Sequence, residues 1–328
     1  MKKRILTGDR PTGKLHLGHY VGSLENRVNL QHEFESYIMV ADVQALTTHF
    51  ATPEVLRDHI YQVVLDYLAV GIDPNTATIL LQSLIPEIAE LTIFYSMFVT
   101  VNSLRHNPTT KQEIEEKGLQ ELYYGFLGYP VSQAADITIF KAQCVPVGID
   151  QVPHIEQTRR IARRFNELYK PVLVEPQALL SAVNKLPGLD GKAKMSKSLN
   201  NCIYISDSSE EILAKVKTAV TDPKRIHKTD PGHPDICIVF AYHKAFNSAA
   251  VSEIESNCKA GCIGCMDCKK LLAAKLAEKF NPMRERRLQY EATPERVWEI
   301  LHSGTEKARK LAIETIREVR DAMGLVTF

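Results

Sequence analysis

Short apolar, β-rich runs alternate with stretches of helical period through the first half of the chain. Arg4 to Gly8, Tyr37 to Ala41, Thr78 to Leu81, Cys144 to Gly148 and Val172 to Glu175 read as strands. Strands separated by helix-length segments favour an α/β fold with a parallel sheet covered on both faces, because parallel neighbours need long crossovers. After Thr52, Pro53 opens a segment in which Leu56, Ile60, Val63, Val64, Tyr67 and Leu68 share one face. Gly71 supplies the stop, so this segment predicts a helix.

Beyond about residue 200 the pattern turns helical. Ser208 and Glu211 have capping-box spacing ahead of Ile212, Leu213, Val216 and Val220. A last stripe of Ala308, Leu311, Ala312, Ile316, Val319 and Met323 predicts a helix from about Thr305 to Met323. No internal repeat and no low-complexity tract interrupts these segments.

The 328 residues suffice for a large domain and a smaller one. Hydrophobic content of 45% and charged content of 24% exclude disordered and collagen-like classes. Forty basic against thirty-nine acidic residues leave a net charge of +1, so contact with nucleic acid must come from a local patch. Met1-Lys2-Lys3-Arg4 is followed by only Ile5 and Leu6 before Thr7-Gly8-Asp9-Arg10, too short for a signal sequence. No apolar run approaches the roughly eighteen residues a membrane span needs, and the expected location is the cytoplasm, without membrane contact. Seven cysteines in such a chain point to metal rather than to disulfides.

The first strand leads into Arg10-Pro11-Thr12-Gly13-Lys14-Leu15-His16-Leu17-Gly18-His19-Tyr20, a turn and a helix start. His16 and His19, three apart, can face one ligand. A helix N-terminus offers free N–H groups to phosphate, and Gly18 allows close approach of a nucleotide. Taken singly, these are also ordinary surface histidines. Far downstream, a loop beginning at Gly188 carries Lys194-Met195-Ser196-Lys197-Ser198, whose lysines and hydroxyls suit a triphosphate. By itself that loop also reads as a solvated charged segment.

Together, in order and separation, the two segments resemble the HIGH and KMSKS signatures of class I aminoacyl-tRNA synthetases. Tyr129-Pro130-Val131-Ser132-Gln133-Ala134-Ala135-Asp136-Ile137 and Val145-Pro146-Val147-Gly148-Ile149-Asp150-Gln151 are similar to the amino-acid pocket and nucleotide loop of bacterial tryptophanyl-tRNA synthetases. The likeness extends over essentially the whole chain. It implies ATP contacts at Arg10, Thr12, His16, Gly18, His19, Gly148, Asp150, Lys194, Met195, Ser196 and Lys197, with His16, His19, Lys194 and Lys197 as the catalytic set. For tryptophan it implies Tyr129, Gln133, Asp136, Val145, Val147 and Gln151.

A buried carboxylate at Asp136 would accept the indole N–H, a donor that Phe lacks. Without the resemblance, Asp136 reads equally well as a helix-start cap. Two residues depart from the commoner pattern: Arg10 stands where Gln often precedes Pro, and Gln44 stands where His is usual. Arg10 retains the chemistry to bind a carboxylate or phosphate. Arg159, Arg160, Arg163 and Arg164 read as a solvated helix face rather than as site residues.

The likeness further implies a Rossmann-like catalytic domain over 1–195 that binds ATP and tryptophan. A helical anticodon-binding domain with the cysteines is expected over 200–304, and the helix over 305–328 is expected to pack back on the first. ATP with Mg2+, L-tryptophan and tRNA(Trp) are the expected partners, and a homodimer the expected assembly. A tyrosine-specific synthetase and a non-catalytic RNA-binding paralogue are the rivals.

Cys258, Cys262, Cys265 and Cys268 crowd into one segment, with Cys237 upstream. Thiolates in this number suit zinc or an iron–sulfur cluster, and a dry group of reduced thiols is the plainer alternative. The Cys258-x-x-x-Cys262-x-x-Cys265 spacing also occurs in enzymes that cleave S-adenosylmethionine by radicals, but there it lies early in a barrel. A subset of similar synthetases holds a 4Fe-4S cluster on a pattern that Cys237, Cys258, Cys265 and Cys268 reproduce, leaving Cys262 as a bystander.

Overall fold

The computed structural model describes residues 2–118, 121–180, 186–197 and 199–326. Five parallel strands form the sheet in the order β3-β2-β1-β4-β5. They are β1 (Arg4–Asp9), β2 (Glu35–Val40), β3 (Thr78–Leu81), β4 (Cys144–Val147) and β5 (Gln177–Leu180). The chain builds outward from β1 to β3, then returns to start the other half at β4. That reversal between β1 and β4 opens a crevice at the carboxyl ends of the strands, where α/β folds place their ligands.

The helices of the sheet half are α1 (Leu17–His19), α2 (Glu25–Glu33), α3 (Asp42–His49), α4 (Leu56–Val70), α5 (Pro86–Ser96), α6 (Val101–Arg105), α7 (Pro108–Lys117), α8 (Tyr124–Ile139) and α9 (Val152–Leu168). Then follow α10 (Ser209–Thr218), α11 (Ile238–Phe246), α12 (Val251–Lys259), α13 (Cys265–Glu291) and α14 (Pro294–Met323). Alternate strand residues feed opposite cores, as the period of two requires. Tyr37, Met39 and Leu80 pack with Ala134, Ile155, Phe165 and Ala312 on one face. On the other, Ile38, Val40 and Ile79 pack with Val63 and Tyr67 in a core that continues through Ile212, Leu272 and Phe280.

Most of the expected elements form where the pattern places them. The helix after Pro53 ends at Gly71 with φ of 105°, and Ser208 with Glu211 makes both halves of a capping box. The run Val172 to Glu175 is not a strand; the fifth strand is Gln177–Leu180. The Asn166 side chain explains the displacement: its Oδ1 accepts the N–H groups of Val172 and Leu173 at 3.0 Å each, and its Nδ2 donates to Leu173 O at 2.8 Å. Backbone groups satisfied in this way are withdrawn from a ladder. The last helix begins at Pro294 rather than near Thr305, because Val297 and Leu301 extend the buried stripe toward the N-terminus. Thr305 Oγ1 accepts the Leu81 N–H at 3.0 Å and so ties α14 to β3.

A buried ion pair joins α13 to α4. Arg287 pairs with Asp66, whose other carboxylate oxygen accepts the Leu15 N–H at 2.6 Å, next to His16. Removing one member of such a pair costs about 3–5 kcal/mol, since the other charge is left buried and alone. Among the described residues no helix is long and apolar enough to cross a membrane.

Candidate active site

β1 ends at Asp9, and the chain turns through Arg10 to His16 into α1, which runs on through a π-helical stretch, Tyr20–Leu24, into α2. His16 caps this helix: its Nδ1 accepts the Gly18 N–H at 3.1 Å, and His19 Nδ1 accepts the His16 N–H at 3.2 Å. The two rings lie 3.9 Å apart between centroids. Burial, joined by the fields of His19 and Lys197, lowers His16 to about 3. Burial likewise lowers His19 to about 4, with Asp9 opposing and Lys197 and Arg27 assisting. Both imidazoles are therefore neutral at pH 7, and with each Nδ1 accepting, each presents Nε2–H as a donor. A Cβ at Gly18 would stand 2.9 Å from the His16 ring, so no side chain fits there.

The downstream loop closes on this turn. Lys197 Nζ donates to Thr12 O at 2.9 Å, to Thr12 Oγ1 at 3.0 Å and to Gly13 O at 3.0 Å. Burial brings its pKa down to about 8, against the pull of Asp66 and Asp9. Met195 is buried beside Gly18, and Ser196 N–H donates to Asn201 Oδ1 at 2.8 Å. Lys194 is exposed and bridges to Pro187; Ser198 lies outside the described residues. Two motifs 185 positions apart, measured from Thr12 to Lys197, thus share one site.

Arg10, Thr12 and His19 line a cavity of about 380 Å³ together with Asp9, Thr48 and His49. Arg10 also stands 3.9 Å from Glu113. A second cavity, of about 300 Å³, is lined on β1 by Leu6, Thr7 and Gly8, just before Asp9. Gln133, Asp136, Val145, Val147, Gly148 and Gln151 all line it, as does Gln44. Tyr129, one turn before Gln133 on α8, does not: its hydroxyl bonds His154 Nε2 at 2.9 Å, and it lines a separate apolar cavity of about 690 Å³. Asp150 is exposed in the turn Ile149–Gln151, where its carbonyl accepts Thr109 Oγ1 at 2.8 Å.

Asp136 is 3% exposed in the body of α8, so the cap alternative is overturned: no helix starts there. Gln44 Nε2 donates to its Oδ2 at 2.7 Å and Gln82 Nε2 to its Oδ1 at 2.8 Å. Burial pushes the carboxyl up to about 7, with Asp42 adding to the rise and the two amides pulling against it. Asp9 differs. Burial raises it, but the Arg27 guanidinium, with His19 and Tyr67, outweighs burial and holds it at about 2. Arg27 binds both Asp9 oxygens, and Tyr67 Oη donates to Asp9 Oδ2 at 2.7 Å.

Gln82 and Arg27 were not among the expected site residues. A polar Gln directly after the apolar run Thr78 to Leu81 is a signal for the first, since strand ends face the crevice. Arg27, one charge on a helix that reads as polar, carries no such signal. Three of the four arginines of α9 are partnered within the chain: Arg159 with Glu156, Arg163 with Glu175 and Arg164 with Glu167.

Cys237 precedes α11, Cys258 lies in α12, and Cys265 and Cys268 occupy the first turn of α13. Arg225 reaches Cys258 Sγ and Cys265 Sγ, each at 3.9 Å, and His243 Nε2 lies 3.4 Å from Cys268 Sγ. Burial raises the thiols of Cys237, Cys258 and Cys268, the last to about 12, and each is raised further by its cysteine neighbours within this set of four. A Cβ at Gly232 would come 2.5 Å from Cys258 Sγ. Cys262 is exposed and directs its thiol to Ala260 O at 3.8 Å. Among the described residues no three His, Cys, Asp or Glu side chains converge closely enough to hold a metal ion.

The family described as tRNA synthetases class I (W and Y) matches residues 1–281. The chain is 50% identical to a tryptophan–tRNA ligase of Clostridium longisporum, covering 100% of this chain and 98% of the relative. It is 49% identical to one of Streptococcus mutans, covering 100% and 99%. Among solved structures, a tryptophanyl-tRNA synthetase from Campylobacter jejuni, complexed with ADP and tryptophan, superposes with a TM-score of 0.87 at 32% identity, over 98% of this chain and 100% of that one. The Mycoplasma pneumoniae enzyme follows at 0.82 and 28%, over 99% of each. With one motif pair built around neutral histidines and a lysine, and a buried carboxylate in the neighbouring cavity, the chain belongs to the tryptophan–tRNA ligases of class I.

Proposed function

We propose that this ligase recognises tryptophan through Asp136 in the 300 Å³ cavity and binds ATP along the 380 Å³ cavity beside it. The tryptophan carboxylate attacks the α-phosphorus of ATP, the bond to the β-phosphate oxygen breaks, and pyrophosphate leaves. A ribose hydroxyl of the tRNA terminal adenosine then takes the acyl group and AMP departs. His16 and His19 act as neutral N–H donors to the phosphates, while Lys194 and Lys197 supply positive charge. Mg2+ carried in with the triphosphate would supply further positive charge beside Lys194 and Lys197. Lys197, bound to the Thr12 and Gly13 carbonyls, is placed to exchange those acceptors for phosphate oxygens.

The observation that carries this reading is Asp136, buried with two amide partners and no cation bonded to it among the described residues. Pyrophosphate exchange driven by tryptophan, and not by tyrosine or phenylalanine, is the expected result; exchange driven by tyrosine would overturn it. Lys194→Ala is expected to slow adenylate formation far more than it weakens tryptophan binding, because the lysine acts in the transition state.

The proposed division is a catalytic unit over 1–195, a tRNA-contacting helical unit over 200–304 and the returning C-terminal helix. ATP and tRNA as substrates support the cytoplasm as its site of action. A homodimer is supported by exposed apolar side chains on neighbouring helices, among them Ile93, Met97, Val101 and Tyr124; sedimentation at the mass of one chain would refute it. Cys237, Cys258, Cys265 and Cys268 would hold a 4Fe-4S cluster once drawn closer together, a reading supported by the electrostatic influence these thiols have on one another, the Arg225 charge beside two of them and the outward turn of Cys262. Bound there, the cluster would tie α11, α12 and α13 together. Anaerobic preparations should be brown and contain about four irons per chain. Zinc without iron would reject the assignment.

A further inference from the structure

Three elements meet at Asp136, and their hydrogen bonds close into a ring. The Gln44 backbone N–H, in the first turn of α3, donates to Gln82 Oε1 at 3.2 Å. With its oxygen so engaged, the Gln82 amide has only its NH2 to offer Asp136, which it does at Oδ1. The Gln44 side chain returns to Oδ2 of the same carboxylate. The ring thereby fixes both amide orientations and the plane of the carboxylate. Gln44 also stands between two cavities, lining the one that holds Asp136 and the 690 Å³ apolar one behind it.

A carboxylate oxygen has two acceptor sites. We infer that Gln44 and Gln82 are positioning residues that set tryptophan specificity: each occupies one site on a different oxygen of Asp136, leaving the remaining sites aimed into the cavity for the indole N–H. This rests on the reading of Asp136 as the indole acceptor. Neutral amides suit that task better than a cation. Arg27 lines the same cavity, and paired with Asp136 it would neutralise the charge that attracts the N–H donor; instead it is bound to Asp9. The charge facing Asp136 from α3 is Asp42, which works against ionisation. The amide donors oppose Asp42 and burial, so removing either donor moves ionisation of Asp136 to higher pH.

The test compares Gln44→Leu, Gln82→Leu, Gln44→His and Asp136→Asn in tryptophan-dependent pyrophosphate exchange from pH 6 to 9. Each leucine variant should raise the KM for tryptophan by about 10- to 100-fold, with kcat changed far less, as expected for losing a hydrogen bond to a charged group. The pH below which KM climbs should move upward by about one unit. Gln44→His, which keeps an N–H donor, should recover most of the affinity. If Gln82→Leu does not fold, Gln44→Leu, at a half-buried position, still decides. A KM and pH profile unchanged in the leucine variants, alongside a large loss in Asp136→Asn, would overturn the positioning role alone. An unchanged KM in Asp136→Asn would instead overturn the reading of the pocket.

Discussion

Asp9 and Asp136 both border the crevice at the carboxyl ends of the strands, yet one is bound to Arg27 and Tyr67 and the other, among the described residues, to Gln44 and Gln82 alone. The first, half-buried, is held at about 2, and the second, fully buried, rises to about 7. The difference separates a carboxylate that fastens the scaffold from one that the proposed function assigns to tryptophan. Asp9 joins β1 to α2 and α4 and brings its own counter-charge. Asp136 has fixed orientation without neutralisation, which leaves its negative charge for a donor that arrives from outside.

The largest expected effect comes from breaking the paired side. Arg27→Met should cost about 3–5 kcal/mol in urea unfolding, because the half-buried Asp9 would lose the buried cation that binds both its oxygens. The sign with pH follows: Asp9 has a depressed pKa, so its contribution is present above its unfolded value of 3.8 and is lost as pH falls through about 2. Asp136 behaves in reverse. Its raised pKa means that stability declines as pH climbs from near 4 through about 7. Asp136→Asn should therefore raise the stability of the ligand-free protein at pH 8, by about 2–4 kcal/mol, and change it little at pH 4. Equal stability of variant and parent at pH 8 would erase the contrast. The smallest effect is Tyr67→Phe, which removes one donor to Asp9 and should cost about 1 kcal/mol at pH 7 with no change in the KM for tryptophan.

Much of this arrangement is legible along the chain. The pairing of His16 and His19 with Lys197 follows from two motifs whose roles are complementary, and the alternation of strands and helices yields a parallel sheet. What the pattern misses has physical reasons. Val172 to Glu175 is β-rich, but Asn166 satisfies its backbone and displaces the fifth strand beyond Pro176. Gln82 and Arg27 have roles only through partners far away in sequence: Gln82 through Asp136, Arg27 through Asp9 and Tyr67. Tyr129 shares a helix with Asp136 and Gln133, but its hydroxyl turns to His154 on α9, which helical spacing cannot foresee. Gln44, which breaks the commoner pattern, is placed by the hydrogen bond it makes to Asp136.

The most direct measurement is steady-state pyrophosphate exchange at pH 8 for the parent protein and Asp136→Asn, with tryptophan and ATP varied separately. The parent should turn over with tryptophan, and the variant should lose about 100-fold or more in kcat/KM for tryptophan while its KM for ATP stays within about twofold. An unchanged tryptophan KM in the variant would contradict the claim that this buried, amide-held carboxylate reads the indole.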